Sequence, residues 1–268
     1  KQLSAIAFTR GPGLMGSLLV GTSFAKSLSL GLQIPLIEVN HMKAHILAHF
    51  IVDDGMKAPN FPFLALTISG GHTQIVQVND FFDMKIIGQT LDDAVGEAFD
   101  KSAKILGLPY PGGPLIDKHA ASGNPHKFEF PIPNVKELNF SFSGLKTSIL
   151  YFIQKQTKEN PDFINNNLED ICASIQYTII TILMRKLKKA VKQTGIKEIA
   201  IGGGVSANSG IRKALIDAQT KFGWKTYIPK FEYCTDNAAM IGIVGYYKYK
   251  NEVFAQQDVT AKARYLIS

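Results

Sequence analysis

Cysteine is scarce in this chain of 268 residues: Cys172 and Cys234 are the only two, and they form no Cys-x-x-Cys pair. That excludes a disulfide-stapled scaffold and a thioredoxin-like redox motif, and predicts a reducing, cytoplasmic setting. No apolar run reaches the roughly 18–20 residues that cross a bilayer, and no basic segment followed by an apolar stretch opens the chain. A soluble protein with no membrane partner is expected. A Walker A motif is absent, as are internal repeats and low-complexity tracts. Acid is in deficit, 22 Asp+Glu against 29 Lys+Arg, and the net charge of +7 suits a phosphate-bearing partner. With 46% hydrophobic and 19% charged residues, the composition is that of an ordinary globular protein long enough for two lobes.

What is present alternates short apolar runs with long amphipathic ones, the pattern of an α/β protein. Strands are expected at 4–8, 34–39, 63–68, 73–78, 84–89, 198–201 and 225–228. Helices are expected at 14–31, 41–52, 92–106, near Ile116, and at 142–154, 168–194, 208–221 and 236–249, with irregular loops over 123–141. Ser69-Gly70-Gly71-His72 between two β-rich runs reads as a tight hairpin, Asn40 as the N-cap of the second helix, and 53–62 as a lobe boundary. The chain opens without Met, almost directly on a core strand, and a preceding segment is expected.

Three constellations carry chemistry. His41-Met42-Lys43-Ala44-His45 sets two imidazoles one helical turn apart, where they either share a metal ion or face solvent. His49 has rotated by roughly 80° from that face and is not counted as a ligand. Met42 stands where zinc peptidases of the His-Glu-x-x-His type have their Glu, so that reading is weak. Asp236 is a candidate third ligand whose plainer role is to cap the last helix. Glycine turns at Ser69-Gly70-Gly71, Pro111-Gly112-Gly113 and Gly202-Gly203-Gly204 suit an anion held by backbone N–H groups, with Asp100 and Asp117 near enough to meet ribose hydroxyls. Arg185, Lys186, Lys188, Lys189 and Lys192 form a basic run that is either a solvated face or a phosphate contact.

Jointly these segments resemble the bacterial branch of the tRNA N6-adenosine threonylcarbamoyltransferase family (TsaD/YgjD/Gcp), formerly regarded as O-sialoglycoprotein endopeptidases. The resemblance covers essentially the whole chain. It rests on Thr9-Arg10-Gly11-Pro12-Gly13-Leu14, Asn40-His41 with His45, Ser69-Gly70-Gly71-His72-Thr73-Gln74 and Asp92-Asp93-Ala94 through Asp100-Lys101. It continues in Tyr110-Pro111-Gly112-Gly113-Pro114, Phe140-Ser141-Phe142-Ser143-Gly144-Leu145-Lys146, Gly203-Gly204-Val205-Ser206-Ala207-Asn208 and Thr235-Asp236-Asn237-Ala238-Ala239-Met240.

The resemblance implies a two-lobed α/β actin/Hsp70/sugar-kinase (RNase H-like) fold. Residues 1–62 would be a first lobe lacking its N-terminal hairpin, 63–236 the second lobe, and 237–268 a helix and tail packing back on the first. It implies transfer of a threonylcarbamoyl group from threonylcarbamoyl-adenylate to N6 of the adenosine adjacent to the anticodon, in tRNAs reading codons that begin with A. His41, His45 and Asp236 would hold one iron(II) ion per subunit, with zinc(II) as the alternative. Thr67, Ile68, Ser69, Gly70, Gly71, Asp100, Gly113, Asp117 and Asn208 would hold the adenylate. Archaeal and eukaryotic relatives have a tyrosine metal ligand where this chain has Thr67, and His72 after the double glycine also sides with the bacterial branch. Implied partners are tRNA, a paralogous protein and a small ATPase. No residue is identified as general base. A metallopeptidase, a kinase-like ATPase and a nucleotide-binding scaffold without catalysis are the competing readings. The basic run and Lys146 are expected to meet tRNA.

Overall fold

The computed structural model describes residues 2–53, 55 and 57–267. Strand β1 (Ile6–Gly11), helix α1 (Met15–Leu32) and strand β2 (Leu36–Asn40) make a βαβ unit whose strands pair in parallel. Helix α2 (His41–Leu47) follows directly and runs into a 3-10 turn, Ala48–Phe50. The helix expected over 41–52 is thus cut short, because His49 turns inward and its ring bonds the Ile201 carbonyl.

A second sheet holds five strands. β3 (Phe63–Ile68), β4 (Thr73–Val78) and β5 (Met84–Gln89) run antiparallel, and β6 (Glu198–Gly202) and β7 (Lys225–Tyr227) add in parallel on the other side of β3, giving the order β5-β4-β3-β6-β7. Period-2 alternation on β3 divides the interior. Leu64, Leu66 and Ile68 enter one core with α3 (Val95–Ile105), α5 (Ser143–Glu159), α6 (Phe163–Thr194) and α7 (Ser209–Phe222). Phe63 and Ala65 face a second core built with α2 and α8 (Ala238–Lys250). Both faces of the sheet are covered, so β3 reads as a continuous apolar run.

Two helix starts differ from expectation because the polar residue at the boundary is engaged elsewhere, and a third because the helix continues across a local break. Asp92 does not open α3. Its carboxylate accepts from Phe142 N–H, Ser141 Oγ and Ser143 Oγ, closing the start of α5. Helix α8 is capped by Asn237, whose side chain accepts from Met240 N–H, and not by Asp236. Helix α6 begins five residues early, with a break at Asn167, whose side chain donates to the Phe163 carbonyl. The remaining helix, α4 (Gly112–Ala120), packs on α3 and α6. After α8 the chain runs back past β2 and β1: Ala255 N–H donates to the Leu36 carbonyl and Lys262 N–H to the Arg10 carbonyl.

Candidate active site

Asn40 ends β2 and starts α2. Its Oδ1 accepts from the Met42 and Lys43 N–H groups, as expected of an N-cap. This fixes the first turn of α2, from which His41 and His45 project one turn apart with ring centroids 4.8 Å distant and planes nearly perpendicular. Asp236, released from capping by Asn237, comes to them from the far end of the chain. Its Oδ1 stands 3.2 Å from Nε2 of each imidazole. Hydrogen bonding from His41 and then His45 holds the Asp236 carboxyl far below the usual carboxylate range, against the opposing effect of burial.

Three ligand atoms lie within 4.8 Å of one another. Two donors each about 2.1 Å from one ion at a tetrahedral angle stand about 3.4 Å apart, close to the 3.2 Å from Asp236 Oδ1 to each imidazole. A separation as wide as 4.8 Å would close to about 4.2 Å or less around a shared ion. Two imidazole nitrogens and one carboxylate oxygen suit non-haem iron(II) or zinc(II) and leave coordination positions open. His72 lies in the same cavity, and burial, then the nearby His41 and His45, push its imidazole below the ordinary histidine range. His49 is buried, away from the trio, and burial lowers it to about 4.

The trio lines an open cavity of about 1560 Å³ that is also lined by Ser69, Gly70, Gly71, Asp100, Gly113, Asp117 and Asn208. Gly70 and Gly71 have nothing within 4 Å of where a Cβ would stand, so the fold itself does not demand glycine there and the space in front of them is free. Gly112 and Gly203 differ: a Cβ would stand 2.2 Å from Ala103 Cβ in the first and 2.5 Å from the Ile68 carbonyl oxygen in the second. Asp100 accepts the Gly112 and Gly113 N–H groups through Oδ1, pinning the proline–glycine turn. Asp117 accepts from Ser209 N–H and Oγ, and Asn208 caps α7 through Ile211 N–H while donating to Gln176 Oε1. These three therefore shape the cavity wall through bonds within the chain.

Thr67 and Ile68 are not brought to the wall. Ile68 belongs to the first core, and Thr67 is wholly buried on β3 between its register partners Gln74 and Gly202. Nor does any residue of the basic run line the cavity. Lys186 Nζ donates to the Val135 and Glu137 carbonyls, and Lys188 lies over the Phe222 ring. Sequence reasoning missed the tail residues Ala263 to Ile267, which line the cavity without forming any motif or periodic segment.

A family profile described as tRNA N6-adenosine threonylcarbamoyltransferase matches residues 1–243. A protein of that name from Christiangramia forsetii is 72% identical over 265 residues, covering 99% of this chain and 78% of the relative. Another from Riemerella anatipestifer is 61% identical over 264 residues, covering 98% and 77%. Among solved structures, full-length HypF in its phosphate- and nucleotide-bound form is similar in fold, with a TM-score of 0.61 at 16% identity over 88% of this chain and 38% of that one.

Proposed function

Since the chain belongs to the tRNA N6-adenosine threonylcarbamoyltransferase family, we propose how its cavity serves that reaction. The protein is an acyltransferase of the α/β actin/Hsp70/sugar-kinase architecture that attaches a threonylcarbamoyl group to N6 of adenosine in tRNA. The donor in this reading is threonylcarbamoyl-adenylate, and the acceptor is the adenosine adjacent to the anticodon in tRNAs reading codons that begin with A. Attack by N6 on the carbamoyl carbonyl carbon forms the new C–N bond. The C–O bond to phosphate breaks, AMP departs, and N6 sheds one proton.

The observation that carries this reading is the convergence of His41, His45 and Asp236 on the cavity that the open glycine turns also line. The trio would hold iron(II), or alternatively zinc(II), one ion per subunit. An ion bound there supplies Lewis acidity toward the carbonyl under attack. Ser69, Gly70, Gly71 and Gly113 cradle the adenylate at close backbone approach. Asp100, Asp117 and Asn208 hold those turns and the start of α7 in register, so that donor and acceptor meet already oriented. A zinc peptidase of the His-Glu-x-x-His type would have its general base one residue after His41, and buried Met42 occupies that position.

The partners in this reading are tRNA, a paralogous protein and a small ATPase, in the cytoplasm. The outer face of α1 supports the paralogue's docking: Leu14, Leu19, Val20, Phe24 and Leu30 are exposed on or beside a helix whose one charge is Lys26. No helix of the described residues is long and apolar enough to cross a membrane.

The test is a reconstituted assay with unmodified tRNA, donor and partner proteins, with product nucleosides read by mass spectrometry and bound metal by elemental analysis. His45→Ala is expected to abolish stoichiometric metal and to lower transfer by about 100-fold or more. Unchanged metal content together with unchanged modification would refute the trio's role.

A further inference from the structure

The tail after α8 lies beyond the family-matched residues 1–243, and nothing so far gives it a role, yet it forms one wall of the cavity. It is fastened on both sides of Arg264. Upstream, Lys262 N–H donates to the Arg10 carbonyl at 2.8 Å, Gly13 N–H donates to the Ala263 carbonyl at 3.2 Å, and Arg10 Nε donates to the Thr260 carbonyl at 2.9 Å. Gly11 makes this approach possible, since a Cβ there would stand 1.9 Å from the Lys262 carbonyl oxygen. Downstream, Asn40 Nδ2 donates to the carbonyls of Tyr265 at 3.2 Å and Leu266 at 3.0 Å, and Ile267 is buried in the second core. Asn40 is the side chain that caps α2, so one residue fixes both the helix bearing His41 and His45 and the segment bearing Arg264.

Charge singles out the same residue. Among the described residues lining the cavity, Arg264 is the only lysine or arginine. The lining carboxylates are committed: Asp100 to the glycine turn, Asp117 to Ser209 and Asp236 to the two imidazoles. The guanidinium of Arg264 is exposed and takes part in none of the hydrogen bonds, ion pairs or ring contacts of the described residues. The cavity therefore presents one permanent, uncommitted cation, on a backbone anchored beside the metal trio. The turn formed by Gly112 and Gly113, and the start of α7, belong instead to elements packed on the other face of the five-stranded sheet.

The donor in the reading above carries two anionic groups. Its phosphoester travels with the adenosine, which the glycine turns hold. Its carboxylate belongs to the threonine of the transferred group, whose carbonyl has to lie at the trio. We propose that Arg264 binds that carboxylate as a planar guanidinium–carboxylate pair, and thereby selects a donor bearing an amino-acid carboxylate over a bare adenylate. This inference rests on the proposed donor.

Equilibrium binding to the metal-loaded full chain, without tRNA, tests it with three probes: AMP, a non-hydrolysable sulfamoyl analogue of the donor, and the methyl ester of that analogue. Arg264→Gln is expected to weaken the acid analogue by about 10–100-fold, to leave AMP and the ester unchanged, and to keep the melting temperature of the parent. Arg264→Lys should recover part of the loss, and the parent chain should itself prefer acid to ester. Two results overturn the inference while leaving the donor reading intact: R264Q binds the acid analogue like the parent, or R264Q weakens AMP and the acid analogue equally. Failure of the parent chain to bind the acid analogue at all overturns the donor reading and this inference together.

Discussion

At Gly203 the backbone has φ of 91°, and a Cβ would stand 2.5 Å from the Ile68 carbonyl oxygen, so the turn after β6 closes over β3 only with glycine. Gly71, with open space in front of it, has no such constraint. The two glycines look alike in sequence and should respond differently to one methyl group. Gly203→Ala is expected to cost about 2–3 kcal/mol of stability, seen as a clear fall in denaturant midpoint. Gly71→Ala should stay within about 0.5 kcal/mol of the parent while binding of the donor analogue drops. A Gly71→Ala chain that binds the analogue normally would remove that turn from the cradle. Adjacent residues exchange roles in the same way at the start of α8. Either Asp236 or Asn237 is a competent cap by side-chain chemistry, and the choice of Asn237 is what frees a carboxylate for the two imidazoles.

Among the elements, α2 has only seven residues and owes its position to contacts at both ends. Asn40 caps its start and His49, just past its end, bonds the Ile201 carbonyl at 2.7 Å. The acceptor and donor halves of Asn40 can be separated by substitution. Asn40→Ala should lose about 1–2 kcal/mol through the cap. Asn40→Asp keeps the acceptor for Met42 and Lys43 but loses the donor to Tyr265 and Leu266, so the tail should be cut faster in limited proteolysis while most of the cap energy remains. Protection equal to the parent would mean that buried Ile267 and the Arg10 contacts hold the tail unaided. The histidine spacing and the cap were legible in the sequence because both depend on residues within one turn. The early stop of α2 and the late start of α3 were not, because His49 and Asp92 bond to strands and loops remote in the chain.

Across the whole molecule, the second core joins β2, α2, the outer face of β3 and β4, α8 and Ile267, so that segments from both ends of the chain share one interior. His49 sits buried at this junction as a neutral ring donating through Nε2 to Ile201, with its pKa lowered to about 4 by burial. An unfolded histidine titrates near 6.5, so between those values the unfolded chain binds more protons than the folded one. The contribution is fully present above about pH 6.5 and is lost as pH falls toward 4, by about 3 kcal/mol in all. His49→Gln, which retains an amide donor, should flatten that part of the curve of unfolding free energy against pH. An unaltered pH dependence would show that other groups cause the acid loss.

The sequence by itself determined the strands, most of the helices and the pairing of His41 with His45, since periods of 2 and 3.6 residues and an N-cap are read within a few positions. It also held the family's motifs in order, and with them the reaction. The family's motifs also pointed to Asp236 as the partner of the histidines, but its spacing left it between cap and ligand, and the tertiary structure decided that Asn237 caps while Asp236 turns to them. Tertiary structure alone decided that some glycines face free space while others face backbone. It also decided that the tail beyond the last helix brings Arg264 to the same cavity. Those are contacts between segments far apart along the chain, fixed by how two cores pack against one sheet, and no local pattern encodes them.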